Sequence, residues 1–259
     1  MSEPSLTPRP AGTSRLAWGL VIVLGLAVVV LAGLVAVRDK EVADLRAQLP
    51  AAASPGPSGT ATASAAPSAN VQAEELMRSL PRRQQGDPRA LGRLDAPVVM
   101  IAWSDFRCPF CAHWATTTLP DLQPYLDSGS LRVEFRDLVL FGDQSKAAAV
   151  ASRAAGQQGK FWEFSEAVFA AAPTSGHATL TSDDLVAFAR TSGVPDLTAF
   201  ASALEDPELA AAVDAETTQA QSMGLSGTPF FVINTTVVSG SQPLDVFTAA
   251  IESYGGKKA

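Results

Sequence analysis

The chain has only two cysteines, and both lie in one tetrad, Cys108-Pro109-Phe110-Cys111. The tetrad comes shortly after the apolar run Val98–Trp103, which is itself preceded by Asp95-Ala96-Pro97. An uninterrupted apolar run rich in β-branched residues reads as a strand buried on both faces. Two thiols separated by two residues, where such a strand hands over to a helix, can close a disulfide with each other and with no other partner. The fold must therefore present a strand–helix junction, and reversible dithiol–disulfide chemistry is the leading reading of it.

A cysteine in the first turn of a helix meets unpaired backbone N–H groups and the positive end of the helix dipole. Both favour thiolate over thiol. Cys108 occupies that place and reads as the nucleophile; Cys111, one turn on and more buried, reads as the resolving thiol. Pro109 suits the first helical position, where its missing N–H costs nothing. Other uses of the pair fit less well. A structural disulfide across two residues closes a loop too short to stabilise much. A zinc site would need His113 and His177 as further ligands, at spacings that match no zinc pattern. Both histidines read as solvent-facing, and no metal or cofactor is expected. A second element is Gly227-Thr228-Pro229-Phe230-Phe231, where Thr228-Pro229 leads into another apolar run.

The intervening sequence alternates in type. Val71–Arg83 is weakly amphipathic and reads as a helix, broken at Gly86-Asp87-Pro88. Ala112–Leu126 reads as a helix kinked at Pro120. Leu131–Asp137 alternates apolar and charged residues, which predicts a strand with one buried face. From Ser145 to Met223 the pattern is helical, with a capping-box sequence at Thr181-Ser182-Asp183-Asp184, a stop at Gly193, and further starts at Asp196 and Pro207. Phe230–Ile233 and Thr236–Ser239 predict a hairpin about Asn234-Thr235, and Pro243–Tyr254 a final amphipathic helix. The order is strand, helix, strand, helical block, two strands, helix: an α/β domain over 71–259 with a helical insertion at about 143–223.

The first seventy residues are of another kind. Leu16–Val37 carries no charge, and roughly 22 residues at ~1.5 Å each span about 33 Å, enough to cross the hydrocarbon of a bilayer. With Arg9 and Arg15 ahead of it, a cleaved signal peptide is the rival reading. The stretch is longer than an ordinary signal core and lacks a clear small-residue cleavage site. The expectation is an uncleaved signal anchor at 16–37, with 1–15 a cytoplasmic tail. Residues 38–70 form a charged juxtamembrane segment and an Ala/Ser/Pro-rich disordered linker, so the catalytic domain lies outside the cytoplasm on a single-pass anchor. The net charge of −7, from 19 Lys+Arg and 26 Asp+Glu, argues against nucleic acid as a partner.

Taken together, these motifs resemble the DsbA-like branch of the thioredoxin superfamily over roughly Asp87 to Tyr254. The resemblance rests on Asp95-Ala96-Pro97, Ser104-Asp105-Phe106-Arg107-Cys108-Pro109-Phe110-Cys111, Thr118-Leu119-Pro120, Gly159-Lys160-Phe161-Trp162-Glu163 and Gly227-Thr228-Pro229. It implies a thioredoxin-like fold with a helical insertion and a cis Thr228-Pro229 bond packed against the active-site pair. It also implies β-type pairing of the Thr228 backbone with an extended substrate chain. Cys108 and Cys111 would catalyse thiol–disulfide exchange on exported proteins, with Arg107, Pro109 and Phe110 modulating them. A quinone-linked membrane protein would reoxidise the pair. Disulfide formation is the expected direction; a membrane-tethered reductase and a non-catalytic binding or redox-sensing module are the alternatives. The chain departs from the family pattern twice. Phe110 stands where the strongest oxidants carry His, which places the Cys108 pKa below that of a free thiol but above the family's lowest values. Ala102 stands where many relatives bury a carboxylate beside the resolving cysteine; Asp105 is nearer in sequence, and a structural role at the strand end is expected for it.

Overall fold

The computed structural model describes residues 66–259; the expected membrane anchor, its cytoplasmic tail and most of the linker lie outside the described residues. Five strands form one mixed sheet in the order β1-β3-β2-β4-β5. They are β1 (Ala90–Gly92), β2 (Val98–Ser104), β3 (Leu131–Asp137), β4 (Phe230–Ile233) and β5 (Thr236–Ser239). β2 and β3 run parallel, and the other neighbours are antiparallel. The short edge strand β1, with only three residues, is not evident from the sequence pattern.

β2 lies at the centre of the sheet, and every residue in it is buried. Val98, Met100 and Ala102 face a core completed by Trp114, Tyr125, Phe231 and Phe247. Val99, Ile101 and Trp103 face the opposite side with Leu138, Ala220 and Val232. A strand sandwiched in this way needs apolar side chains at odd and even positions alike, which explains the unbroken apolar run.

The helix after the cysteines is irregular, as Pro120 requires, but the irregularity precedes the proline. α2 (Pro109–His113) passes into a π-helical turn at Trp114–Thr118, then into short helices α3 (Leu119–Asp121) and α4 (Gln123–Asp127). Pro120 has no N–H for the Thr116 carbonyl, and the bonding register shifts so that Leu119 N–H reaches Trp114 O. The hydroxyls of Thr116 and Thr117 donate to the carbonyls of Ala112 and His113 at 2.8 and 2.6 Å.

Between β3 and β4 the chain forms α5 (Asp143–Gln157), α6 (Phe161–Ala170), α7 (Ser182–Thr191), α8 (Leu197–Ala203) and α9 (Pro207–Ser222). Their core gathers Phe161, Phe164, Phe169 and Phe200 around Phe106, Phe135 and both cysteines. The capping box at the start of α7 forms, Thr181 accepting from Asp184 N–H and Asp184 from Thr181 N–H. The closing helix α10 is Leu244–Ser253. At the other end α1 spans Ala66–Ser79, starting at Ala66 rather than Val71 and so taking in the last residues assigned to the linker. Alanine favours helix there, and Pro67 sits in the first turn, where it is tolerated.

One expectation is overturned at β3. The charged residues of its second face are not in water: all seven positions are buried. Glu134 is fully buried and accepts from Arg132 Nε, an Arg136 guanidinium N–H and the backbone N–H groups of Arg82 and Arg83, each at 2.9 Å. Asp137 pairs with Arg153 at 2.6 Å. Glu216 of α9 accepts from Arg89 at 2.9 and 3.0 Å, from Asp137 N–H at 2.9 Å, and from Arg82. Polar residues reach this interior because each charge meets opposite charge and fixed N–H donors. Burial alone would raise the Glu134 and Glu216 pKa values, but these partners hold both at about 2.

Two outcomes follow for stability. Glu134→Gln leaves Arg132 and Arg136 without their shared counter-charge, and chemical denaturation should show a loss of about 3 kcal/mol. Since the folded pKa values of about 2 lie below the unfolded carboxylate range, both groups stabilise the fold above pH ~4.5 and lose that contribution as pH falls towards 2. Thermal melts should therefore decline steeply across that window, and less so in Glu134→Gln.

Candidate active site

The register of the central strands assembles the site. β4 pairs antiparallel with β2, Trp103 opposite Phe230, so the residues preceding β4 lie beside the exit of β2. This brings Thr228-Pro229, a cis peptide bond, to the cysteines: the Cys108 thiol donates to Thr228 O at 3.3 Å. The hairpin beyond holds the strap in place, Gly240 N–H donating to Pro229 O at 2.9 Å.

At the exit of β2 the chain turns sharply, and Asp105 organises that turn. Its buried carboxylate accepts from Arg107 N–H at 2.8 Å and from the N–H groups of Leu140 and Phe141 at 2.8 and 3.3 Å. These bonds tie the cysteine loop to the segment after β3 and occupy both carboxylate oxygens. Asp105 is therefore structural. Arg107 departs from its expected role: its guanidinium donates to the carbonyls of Ala178 and Phe141, clamping the loop to the helical block rather than facing the thiolate. His177 extends the clamp, its Nδ1 lying 3.1 Å from Arg107 O and its ring stacked on Phe141 at 4.0 Å. Both histidines are exposed.

Cys108 is the N-cap of α2 and Pro109 its first residue. Both cysteines are free thiols, and their exposures, 2% and 0%, hardly differ. Electrostatics separates them. The Cys108 pKa is pulled down to about 6, first by the hydrogen bond from the Cys111 thiol, then by the Thr228 side-chain hydroxyl and the N–H groups of Cys111 and Phe110 at the helix start, against the opposing effect of burial. The Cys111 pKa is pushed well above the ordinary thiol value, first by burial and then by the hydrogen bond and charge of Cys108; Ser104 and the Asp105 N–H act against this. One sulfur is thus charged near neutral pH, and the other keeps its proton. Phe110 contributes a backbone N–H, while its ring is 64% exposed at the edge of a cleft of about 860 Å³ reaching Phe169, Pro173 and Gly176. Ala102 lies buried with its methyl group in the apolar core.

The sequence reading did not single out Ser104 as a site residue. It ends β2 with 3% exposure, and its signals were a hydroxyl closing an apolar strand and its place at the head of the segment that runs to Cys111.

The difference between the sulfurs is measurable. Alkylation of the reduced protein should modify Cys108 with a rate that rises with pH about a midpoint near 6, while Cys111 stays unmodified at neutral pH. Thiolate absorbance should titrate at the same midpoint and vanish in Cys108→Ser.

Residues 84–253 match the family model described as Thioredoxin. Disulfide bond formation protein D of Bacillus subtilis is 26% identical over 171 residues, 65% of this chain and 77% of the relative. The probable disulfide bond formation protein D of Bacillus cereus is 28% identical over 151 residues, 56% of this chain and 69% of the relative. The crystal structure of oxidised BdbD from Bacillus subtilis aligns with a TM-score of 0.61 at 25% identity, covering 66% of this chain and 93% of that one. With the central strand, the dithiol helix and the cis-proline strap, these similarities show that the chain belongs to the thioredoxin family, as a DsbA-like thiol:disulfide oxidoreductase.

Proposed function

We propose that this protein forms disulfides in exported proteins outside the cytoplasm through Cys108-Pro109-Phe110-Cys111, held at the membrane by residues 16–37. The observation that carries the direction is the likeness to the disulfide bond formation proteins D of Bacillus, and the lowering of the Cys108 pKa to about 6 agrees with it. A thiolate stabilised in the folded dithiol form favours the reduced enzyme over the disulfide, which makes the disulfide an oxidant. A drop from an ordinary thiol value to about 6 is worth roughly 1.4 kcal/mol at pH 7, or ~30 mV.

In this reading a substrate thiolate attacks Cys108 Sγ of the oxidised enzyme. A substrate–Cys108 disulfide forms, the Cys108–Cys111 bond breaks, and its electron pair departs on Cys111. A second substrate thiolate then attacks the substrate sulfur of the mixed disulfide and expels Cys108 as thiolate, a leaving group favoured by its low pKa. Thr228 O, 3.3 Å from Cys108 Sγ, supports a role for the Thr228-Pro229 strap in aligning an extended substrate chain. The cleft beside Phe110 supplies room for an apolar side chain near the substrate cysteine. A quinone-linked membrane protein would accept the two electrons from the dithiol. The names of the Bacillus relatives, disulfide bond formation protein D, favour the same direction. The apolar segment 16–37 and the linker after it support display of the domain outside the membrane.

Equilibration with glutathione should give a potential near −120 to −180 mV; a value near −270 mV would identify a reductase instead. Phe110→His should lower the Cys108 pKa further and raise the potential. In cells, Cys111→Ser should accumulate mixed disulfides with exported proteins, and capture of none with Cys108 still reactive would favour a binding module. Protease added to intact spheroplasts should remove the folded domain and leave a membrane-bound N-terminal fragment. Protection of the domain would overturn the orientation.

A further inference from the structure

We infer that the segment 171–178 is a lip that seats an apolar side chain of the substrate beside its reacting cysteine, and that His177 is the positioning residue tying this lip to the nucleophile. The inference rests on the exchange activity proposed above and deepens it.

The cleft of about 860 Å³ beside the nucleophile has two walls. One is the dithiol helix from Pro109 to Thr116, and the other is the turn after α6, from Ala172 to Gly176. Phe169, buried and stacked on Phe106 at 4.9 Å, adds a fixed apolar surface. His113 is the one ionisable side chain among the described lining residues. A cavity of this size and lining, opening beside Pro109 and the exposed ring of Phe110, suits an apolar side chain. In an extended chain, side chains two residues apart point to the same face, ~7 Å from each other. A neighbour of the substrate cysteine can therefore enter the cleft while the sulfur meets Cys108.

The lip is held through the nucleophile's own loop. Among the described residues, 173–179 make two hydrogen bonds, and both are to Arg107, the residue before Cys108. Arg107 Nε donates to Ala178 O at 2.6 Å. His177 Nδ1 lies 3.1 Å from Arg107 O, and since a carbonyl oxygen only accepts, Nδ1 carries the proton and donates. The His177 ring stacks on Phe141 at 4.0 Å, and the Phe141 backbone is itself bonded to Asp105 and Arg107. Gly176, at φ +77°, turns the chain from the cleft wall into this anchor. Residues 173–177 are exposed, so burial does little to hold them. Without the bond from His177, a substrate would have to order the lip on binding, a cost that falls on recognition rather than on the sulfur chemistry.

The test uses oxidised full-length protein in lipid nanodiscs and two reduced dithiol peptides, with Phe or Ser two residues to each side of the first cysteine. Dithiothreitol, which has no side chain to seat, is the control. Wild-type protein should oxidise the Phe peptide roughly tenfold faster than the Ser peptide, the gain from burying part of one aromatic side chain. Ala172→Trp fills the cleft and should bring the two peptides to one rate. His177→Phe keeps a ring for Phe141 but loses the donor, whereas His177→Asn keeps an N–H at the same branch point. His177→Phe should slow the Phe peptide roughly fivefold, the worth of about one hydrogen bond, and leave the Ser peptide and dithiothreitol unchanged. His177→Asn should retain most of the wild-type discrimination. Equal wild-type rates for the two peptides, or discrimination that survives Ala172→Trp, would overturn the lip. Equal losses in the two His177 variants, or matching losses with dithiothreitol, would overturn the role of His177. A wild-type protein that oxidises neither peptide nor dithiothreitol would instead refute the exchange reading itself.

Discussion

The structure depends on the burial of β2 on both faces. Because Val98, Met100 and Ala102 enter one core and Val99, Ile101 and Trp103 the other, the strand has no freedom to slip: a shift by one residue would exchange the two sets. That fixed register aims the exit of the strand at the start of α2, where Cys108 receives the N–H donors of Phe110 and Cys111. It also aligns β4 so that Thr228-Pro229 arrives beside the same sulfur. The dithiol, the helix start and the strap are three consequences of one buried strand.

The pair is polarised by surroundings rather than by exposure. Both sulfurs are nearly inaccessible, yet one lies in a field of donors and the other beside a negative neighbour in an apolar setting. Each therefore assists the other: the Cys111 proton stabilises the Cys108 thiolate, and that thiolate keeps the Cys111 proton in place. The arrangement makes Cys108 reactive near neutral pH without a histidine in the tetrad.

A second interior, polar and charged, lies on the far face of β3. The carboxylates Glu134, Asp137 and Glu216 bind together β3, α9, α5 and the segment 82–89 through five arginines. Such a network contributes directional restraint, because each guanidinium must meet its carboxylate in one geometry. It anchors the helical block to the sheet, and through Phe141 and Ala178 that block holds the loop carrying Arg107 and Cys108. The charges distant from the sulfurs therefore help to position them.

The amino-acid sequence alone determined the tetrad, its strand–helix setting, the second proline element, the helical block and the hairpin after it, because periodicity and turn residues act locally. It also determined that Phe110 brings no side-chain donor and Ala102 no carboxylate. Tertiary structure decided the rest. Alternating charges in β3 read as a wet face, and only the arginines arriving from residues 82, 89 and 153 show them to be buried. Arg107 stands beside the nucleophile in sequence, but the carbonyls of Phe141 and Ala178 turn its guanidinium elsewhere. Local physics writes elements into a sequence; which polar group meets which sulfur is settled by long-range packing, where partners distant along the chain compete for the same donors.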